Sequence, residues 1–219
     1  MNLKSKEDPA KAVFKDLVDI NEWQNVQDTF AKIINISLRT IDSEGKLLTL
    51  PSNQPRLCRE IQQKNLSAYH GSFCLPTFLG GKAVVDNNLS FICPQGFHNF
   101  IAPLRVKEHK VLAYIIIGPV ILVMRKQKEQ YRNLADELDI GLDDLWQEIS
   151  EIRVISFHRI QTFVQVIKSV GEYILTLAYE NLVSGKKIIK NASHKIGELT
   201  DLLLNIAVQV SGADIGSIM

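Results

Sequence analysis

The sequence lacks most of the signatures from which an activity is usually read. It has no Gly-x-Ser-x-Gly nucleophile motif and no Cys-x-x-Cys pair. Its Gly80-Gly81-Lys82 step lacks the upstream glycine and the following Ser or Thr of a phosphate-binding loop. Nucleophilic hydrolysis, a zinc ribbon and nucleotide binding are thereby disfavoured, and the chain is not expected to be an enzyme. Net charge is equally scarce, since 25 Lys and Arg oppose 24 Asp and Glu and leave +1. No overall field draws such a protein to nucleic acid or to an anionic membrane, so neither is an expected partner.

Long apolar runs are also missing. The longest, residues 111–124, is too short for the ~20 residues of a spanning helix and is broken by Gly118-Pro119, so it reads as a buried strand. Residues 1–11 are mostly polar, with no apolar stretch behind them of the kind a secretory signal needs. On these features the protein is expected to be cytoplasmic. Cysteine is sparse: Cys58, Cys74 and Cys93 are odd in number and widely spaced, which suits reduced thiols better than a disulfide framework.

What the chain does have is patterned hydrophobicity. With 46% apolar and 22% charged residues over 219 positions, it carries enough apolar surface for a folded core. Trp23, Val26, Phe30, Ile33 and Ile34 form the stripe of an amphipathic helix. Residues 36–41 largely alternate, Asp42-Ser43-Glu44-Gly45 supplies turn chemistry and residues 46–50 resume an extended pattern, which predicts a β-hairpin. Short helices are expected over 55–65 and 72–79, and strands over 89–93, 100–106 and 111–123. Beyond Met124 the pattern turns helical, over 127–138, 142–152 and 156–182.

In the last of these helices Ile160, Phe163, Ile167, Val170, Ile174 and Leu177 repeat at spacings of three and four. Such a seam is either a coiled-coil dimer interface or the face that packs on a sheet, and so short a run does not separate the two. Residues 194–206 carry another amphipathic stripe, and the sequence ends on an apolar stretch, 215–219, that reads as the start of a strand. The chain is therefore expected to be a fragment of something longer.

The stretch Phe91-Ile92-Cys93-Pro94-Gln95-Gly96-Phe97-His98-Asn99-Phe100-Ile101-Ala102-Pro103-Leu104, followed by Val106, Leu112 and Gly118, resembles the central signature of the PocR sensory-domain family. That signature has a cysteine three residues before a glycine, an apolar-polar-aromatic step and an Ala-Pro pair opening a strand. The turn at 41–45 and the upstream cysteines Cys58 and Cys74 extend the resemblance, which covers residues 17–181. One departure is that the family often continues Gly118 with Gln, whereas Pro119 stands here and offers no amide hydrogen.

The resemblance implies an α+β, PAS-like fold: an antiparallel sheet flanked by helices that enclose a small cavity, with a long C-terminal signalling helix. It implies a small-molecule-binding sensory module of a bacterial or archaeal signal-transduction protein, upstream of a histidine kinase or another output module. Residues 198–219 resemble the first helix and strand of a GAF domain. The expected organisation is thus a flexible start over 1–16, the sensory domain over 17–152, a signalling helix and linker over 153–190 and a truncated GAF-like start over 191–219. A homodimer and a downstream output domain in the same chain are the expected protein partners.

On this reading a small organic ligand sits between the sheet and the helices around 58–80, lined by Cys58, Phe73, Cys74, Phe78, Cys93, Phe97 and His98. The cysteines keep two other readings. They are small buried hydrophobes, or they converge with His70 or His98 as ligands for zinc, copper(I), iron or an iron–sulfur centre, which would make the domain a metal or redox sensor. No residue is expected to be catalytic.

Overall fold

The computed structural model describes residues 12–63, 90–93, 95–106 and 110–184. A short turn of helix, α1 (Phe14–Leu17), leads into α2 (Ile20–Ile34). Asp19 caps α2 by accepting from the N–H groups of Asn21 and Glu22, and Asn35 closes it in the left-handed conformation. The chain continues through β1 (Leu38–Asp42), α3 (Arg56–Gln63), β2 (Ser90–Ile92), β3 (His98–Val106) and β4 (Lys110–Leu122). A 3-10 turn (Lys128–Tyr131), α4 (Arg132–Leu138), α5 (Leu142–Glu151), β5 (Val154–Ile155) and α6 (Phe157–Val183) complete the described part. The fold is α+β, as expected.

The sheet runs β1-β4-β3-β2, all antiparallel, and the two-residue β5 pairs in parallel with the end of β4. Burial explains the order. Every residue over 112–121 of β4 is buried, so this strand must be covered on both faces and flanked on both edges. The expected hairpin is corrected in its second arm. The turn forms, with Asp42 N–H donating to the Lys46 carbonyl at 2.8 Å, but only isolated bridges follow, Ile41 with Leu47 and Leu38 with Ser52. Side chains take over the ladder there: Thr49 Oγ1 accepts from the Thr40 N–H at 2.9 Å and donates to Gln27 Oε1 of α2 at 2.7 Å.

One face of the sheet is closed by α2 and α6. Phe100, Ala102, Leu104 and Val106 of β3 and Ala113, Ile115 and Ile117 of β4 meet Trp23, Phe30 and Ile34 from α2 and Ile160, Ile167, Val170 and Ile174 from α6. The heptad-like seam of α6 is therefore a sheet-packing face, with Phe163 partly buried against the same core. Close approach depends on Gly171. A Cβ built there would lie 2.6 Å from Leu104 Cδ2 and 3.2 Å from the Trp23 ring. Each fully buried aliphatic side chain on this face is worth about 1.5–3 kcal/mol, which makes it the main store of stability. A second, smaller core lies under α3, α4 and α5, built from Leu57, Ile61, Tyr131, Leu138, Leu145 and Ile149.

Candidate functional site

A turn follows β2. Cys93 N–H donates to the Phe97 carbonyl at 2.9 Å and Gly96 N–H to the Cys93 carbonyl at 2.8 Å, with Gly96 at φ +85°. A three-residue connection of this kind needs a left-handed residue before the second strand, which glycine supplies without steric cost. The turn points Cys93 and Phe97 inward, 6% and 4% exposed, where both join the core under α3, α4 and α5. Burial pushes the Cys93 thiol above its ordinary pKa. The Phe97 and Gln95 N–H groups, the Arg39 charge and the Asn99 side chain oppose that shift.

Strand alternation then sorts the sheet residues onto the face opposite α2 and α6. Arg39 pairs across with Ile116, and Ile41 with Tyr114. Ile116 and Tyr114 in turn pair with Ile101 and Pro103 of β3. Residues directly opposite in an antiparallel pair share a face, so these rows form one surface. Its floor is the cluster Ile41, Ile101, Tyr114 and Ile116, with Leu47, Phe91 and Val111 partly buried against it.

Polar groups rim that floor. Arg39 is 6% exposed, Asn99 2% and Tyr114 6%. Asn99 Nδ2 donates to the Phe97 carbonyl at 3.3 Å. The Asn99 amide also fixes its neighbour, because a Cβ at Gly118, which sits at φ +135°, would lie 2.8 Å from Asn99 Oδ1. Burial raises the Tyr114 hydroxyl pKa, and Arg105 partly offsets this. The described strands place two arginines, an amide and a phenol on this face and no carboxylate. Such a surface can hold a largely apolar molecule and orient it through hydrogen-bond acceptors.

Of the residues expected at the site, Cys93 and Phe97 come together in one cluster, next to α3, where Cys58 is half-buried beside Leu57. His98 opens β3, half-buried, opposite Val120 and Ile92. Phe73, Cys74, Phe78 and His70 lie outside the described residues, and so does the expected helix over 72–79. Neither Cys58 nor Cys93 is in a disulfide. Among the described residues no three His, Cys, Asp or Glu side chains gather as metal ligands, but with Cys74 and His70 outside them the three-thiol arrangement is left open. Sequence reasoning missed Arg39, Asn99 and Tyr114. The alternation of residues 36–41, which puts Arg39 on the face of Ile41, was the available signal.

Comparison with protein-family models then decides the family. The model for the sensory domain found in PocR matches residues 16–179, about three quarters of the chain. The chain belongs to the PocR sensory-domain family. The PocR match begins within α1 and takes in most of α6, so the sheet and the helix that covers it fall inside one family unit. No curated protein and no solved structure matches the chain. The described residues include no helix long and apolar enough to cross a membrane.

Proposed function

We propose that this domain senses a small organic molecule held against the sheet face of Arg39, Asn99 and Tyr114, and that α6 passes the bound state to an output module. The observation that carries the reading is the buried polar rim over an isoleucine floor in a chain of a sensory family. A fold built only for stability gains little from burying a guanidinium and a phenol on one face, because desolvating them costs free energy. The output module is a histidine kinase or a related regulator of a bacterium or archaeon, acting in the cytoplasm; residues 191–219, where a GAF-like start is expected, lie outside the described residues.

A physical route from the face to α6 supports the reading. Arg105 lies beside Tyr114, and its backbone N–H donates to Glu172 Oε1 of α6 at 3.3 Å, where β3 and β4 shift register. One helix residue earlier, Gly171 packs on Leu104. A ligand that displaces Tyr114 or Arg105 therefore moves the backbone against which α6 rests. It can shift the domain only by its difference in affinity between two states, tenfold for each ~1.4 kcal/mol.

The homodimer belongs to the same proposal. With the inner side of α6 occupied by the sheet, pairing uses its outer side, where Tyr173 and Val183 are 49% and 53% exposed. The rival reading is a cysteine-held metal or redox centre. The burial of Cys93 weighs against it, since a raised thiol pKa disfavours the thiolate that binds metals and reacts. Metal analysis of protein purified anaerobically under reducing conditions separates the two, and a stoichiometric metal would favour the rival.

A thermal-shift screen of small organic molecules, followed by hydrogen exchange on α6, tests the proposal. A hit should saturate and change protection along α6 in the native chain. In Glu172→Ala it should still bind while the α6 response is lost. A hit that binds without altering α6 in the native chain would refute the signalling half of the reading.

A further inference from the structure

A second concave feature lies away from the sensing face, at the end of the sheet where β1, β4 and β5 meet α3. It is an open cleft of about 790 Å³ whose walls include Asn35, Asn53, Arg56, Arg59, Glu151 and Arg153. Three guanidinium groups from two separated stretches of sequence thus face one space against a single carboxylate.

The arginines differ in how they are held. Arg56 is committed to protein carboxylates, with Nε 2.8 Å from Glu60 and 3.0 Å from Glu148. The Arg59 guanidinium is exposed and has no hydrogen-bond or ion-pair partner among the described residues; only the backbone N–H of this residue is engaged, donating to the Pro55 carbonyl at 3.2 Å. Arg153 is half-buried, donates through Nη1 to the Ile34 carbonyl at the C-terminus of α2 and forms no ion pair among the described residues. Burial, and after it the like charge of Arg159, depresses the Arg153 pKa. A cation held in that way is costly unless an anion compensates it, and nothing described in the protein supplies one.

The walls add acceptor-seeking groups. Asn35 and Asn53, both left-handed at φ 48°, are tied together by Asn53 Nδ2 donating to Asn35 Oδ1 at 3.1 Å. Ser37, also in the wall, keeps its hydroxyl buried with no hydrogen-bond partner.

We propose that this cleft is an oxyanion site that takes a phosphate group, with Arg153 and Arg59 as the charged contacts and the asparagine pair shaping one wall. Guanidinium forks match phosphate oxygens in geometry as well as charge. The site is independent of the sensing face. Its position gives it a regulatory reach, because Arg153 lies between α5 and β5, just ahead of Ser156, the residue that caps α6. An anion that draws on Arg153 acts on the root of the signalling helix.

The test is titration of the full chain with sodium phosphate against sodium chloride of equal ionic strength, read as a saturable rise in melting temperature. The native chain should respond to phosphate and not to chloride. Arg59→Gln, which removes no side-chain hydrogen bond or ion pair among the described residues, should weaken the phosphate response about tenfold, the scale of one charge-assisted hydrogen bond. Arg153→Gln should weaken it at least as much. A phosphomonoester such as glycerol 3-phosphate distinguishes the sources. Tighter binding than inorganic phosphate identifies a phosphorylated small molecule as the ligand, and equal binding identifies free phosphate. No saturable response in the native chain, or an unchanged affinity in Arg59→Gln, would overturn the site.

Discussion

β3 carries two chemistries on one strand. Toward α2 and α6 it presents Phe100, Ala102, Leu104 and Val106, each at most 5% exposed, while its other side presents Asn99, Ile101, Pro103 and Arg105. β1 divides in the same way, with Leu38 on the helical side and Arg39 and Ile41 on the other. The helical face obeys the rule that cores are apolar and close-packed. The opposite face breaks it with buried polar groups, which a core built for stability alone replaces with apolar ones. The difference separates the part of the sheet that holds the fold from the part that reads a ligand.

Charging the helical face should have the largest effect. Ile167→Asp or Ile174→Asp buries a carboxylate among aliphatic side chains 4% and 5% exposed, and should cost more than about 4 kcal/mol, seen as loss of the cooperative urea transition. A variant that stays folded and changes only its mass in solution would restore the coiled-coil reading of that seam. Next in size is Gly171→Ala. The gain in helix propensity is at most about 1 kcal/mol, whereas a methyl 2.6 Å from Leu104 Cδ2 forces repacking that costs about 1–3 kcal/mol. A net loss in urea midpoint is expected.

On the opposite face the ranking should invert. Arg39→Met should change stability by less than about 1 kcal/mol while weakening ligand response at least tenfold, since a charge-assisted contact to a ligand is worth about 1.5–3 kcal/mol. The smallest effect concerns pH. Burial, then the charge of Glu60, raises the Glu148 pKa above 4.5, against the pull of Arg56. A carboxyl with a raised folded pKa contributes stability that is present below the unfolded value and lost as pH rises through the folded one. Glu148→Gln should flatten the fall in melting temperature over that interval just above pH 4.5, with little change elsewhere.

Much of the helical face was legible in the sequence, because its elements announce themselves by period. The α2 stripe from Trp23 to Ile34, the apolar run of β4 and the α6 seam are local patterns. Whether the seam faced a second helix or a sheet was not legible, since both place apolar residues at the same spacing. The need to cover Phe100, Ala102 and Leu104 decides it. The second arm of the hairpin misled because the Thr49 hydroxyl takes the Thr40 N–H and bonds Gln27, interrupting the backbone ladder through a contact across 22 residues that no local pattern encodes.

The candidate site was half legible. Cys93 and Phe97 stand in a recognisable motif, but period-two alternation does not say which side of a strand faces water, so the alternation at 36–41 left Arg39 without an assigned side. The place of Asn99 depends on the missing Cβ of Gly118, on a different strand.

Native mass spectrometry of the chain, incubated with the strongest hit of the small-molecule screen, shows whether the polar face of the sheet holds the ligand when the native protein and Arg39→Met are compared. A retained small non-protein mass is expected on the native chain, absent or strongly reduced on Arg39→Met at the same charge states. Equal retention by both would show that the ligand binds elsewhere and that the polar face of the sheet is not the sensor.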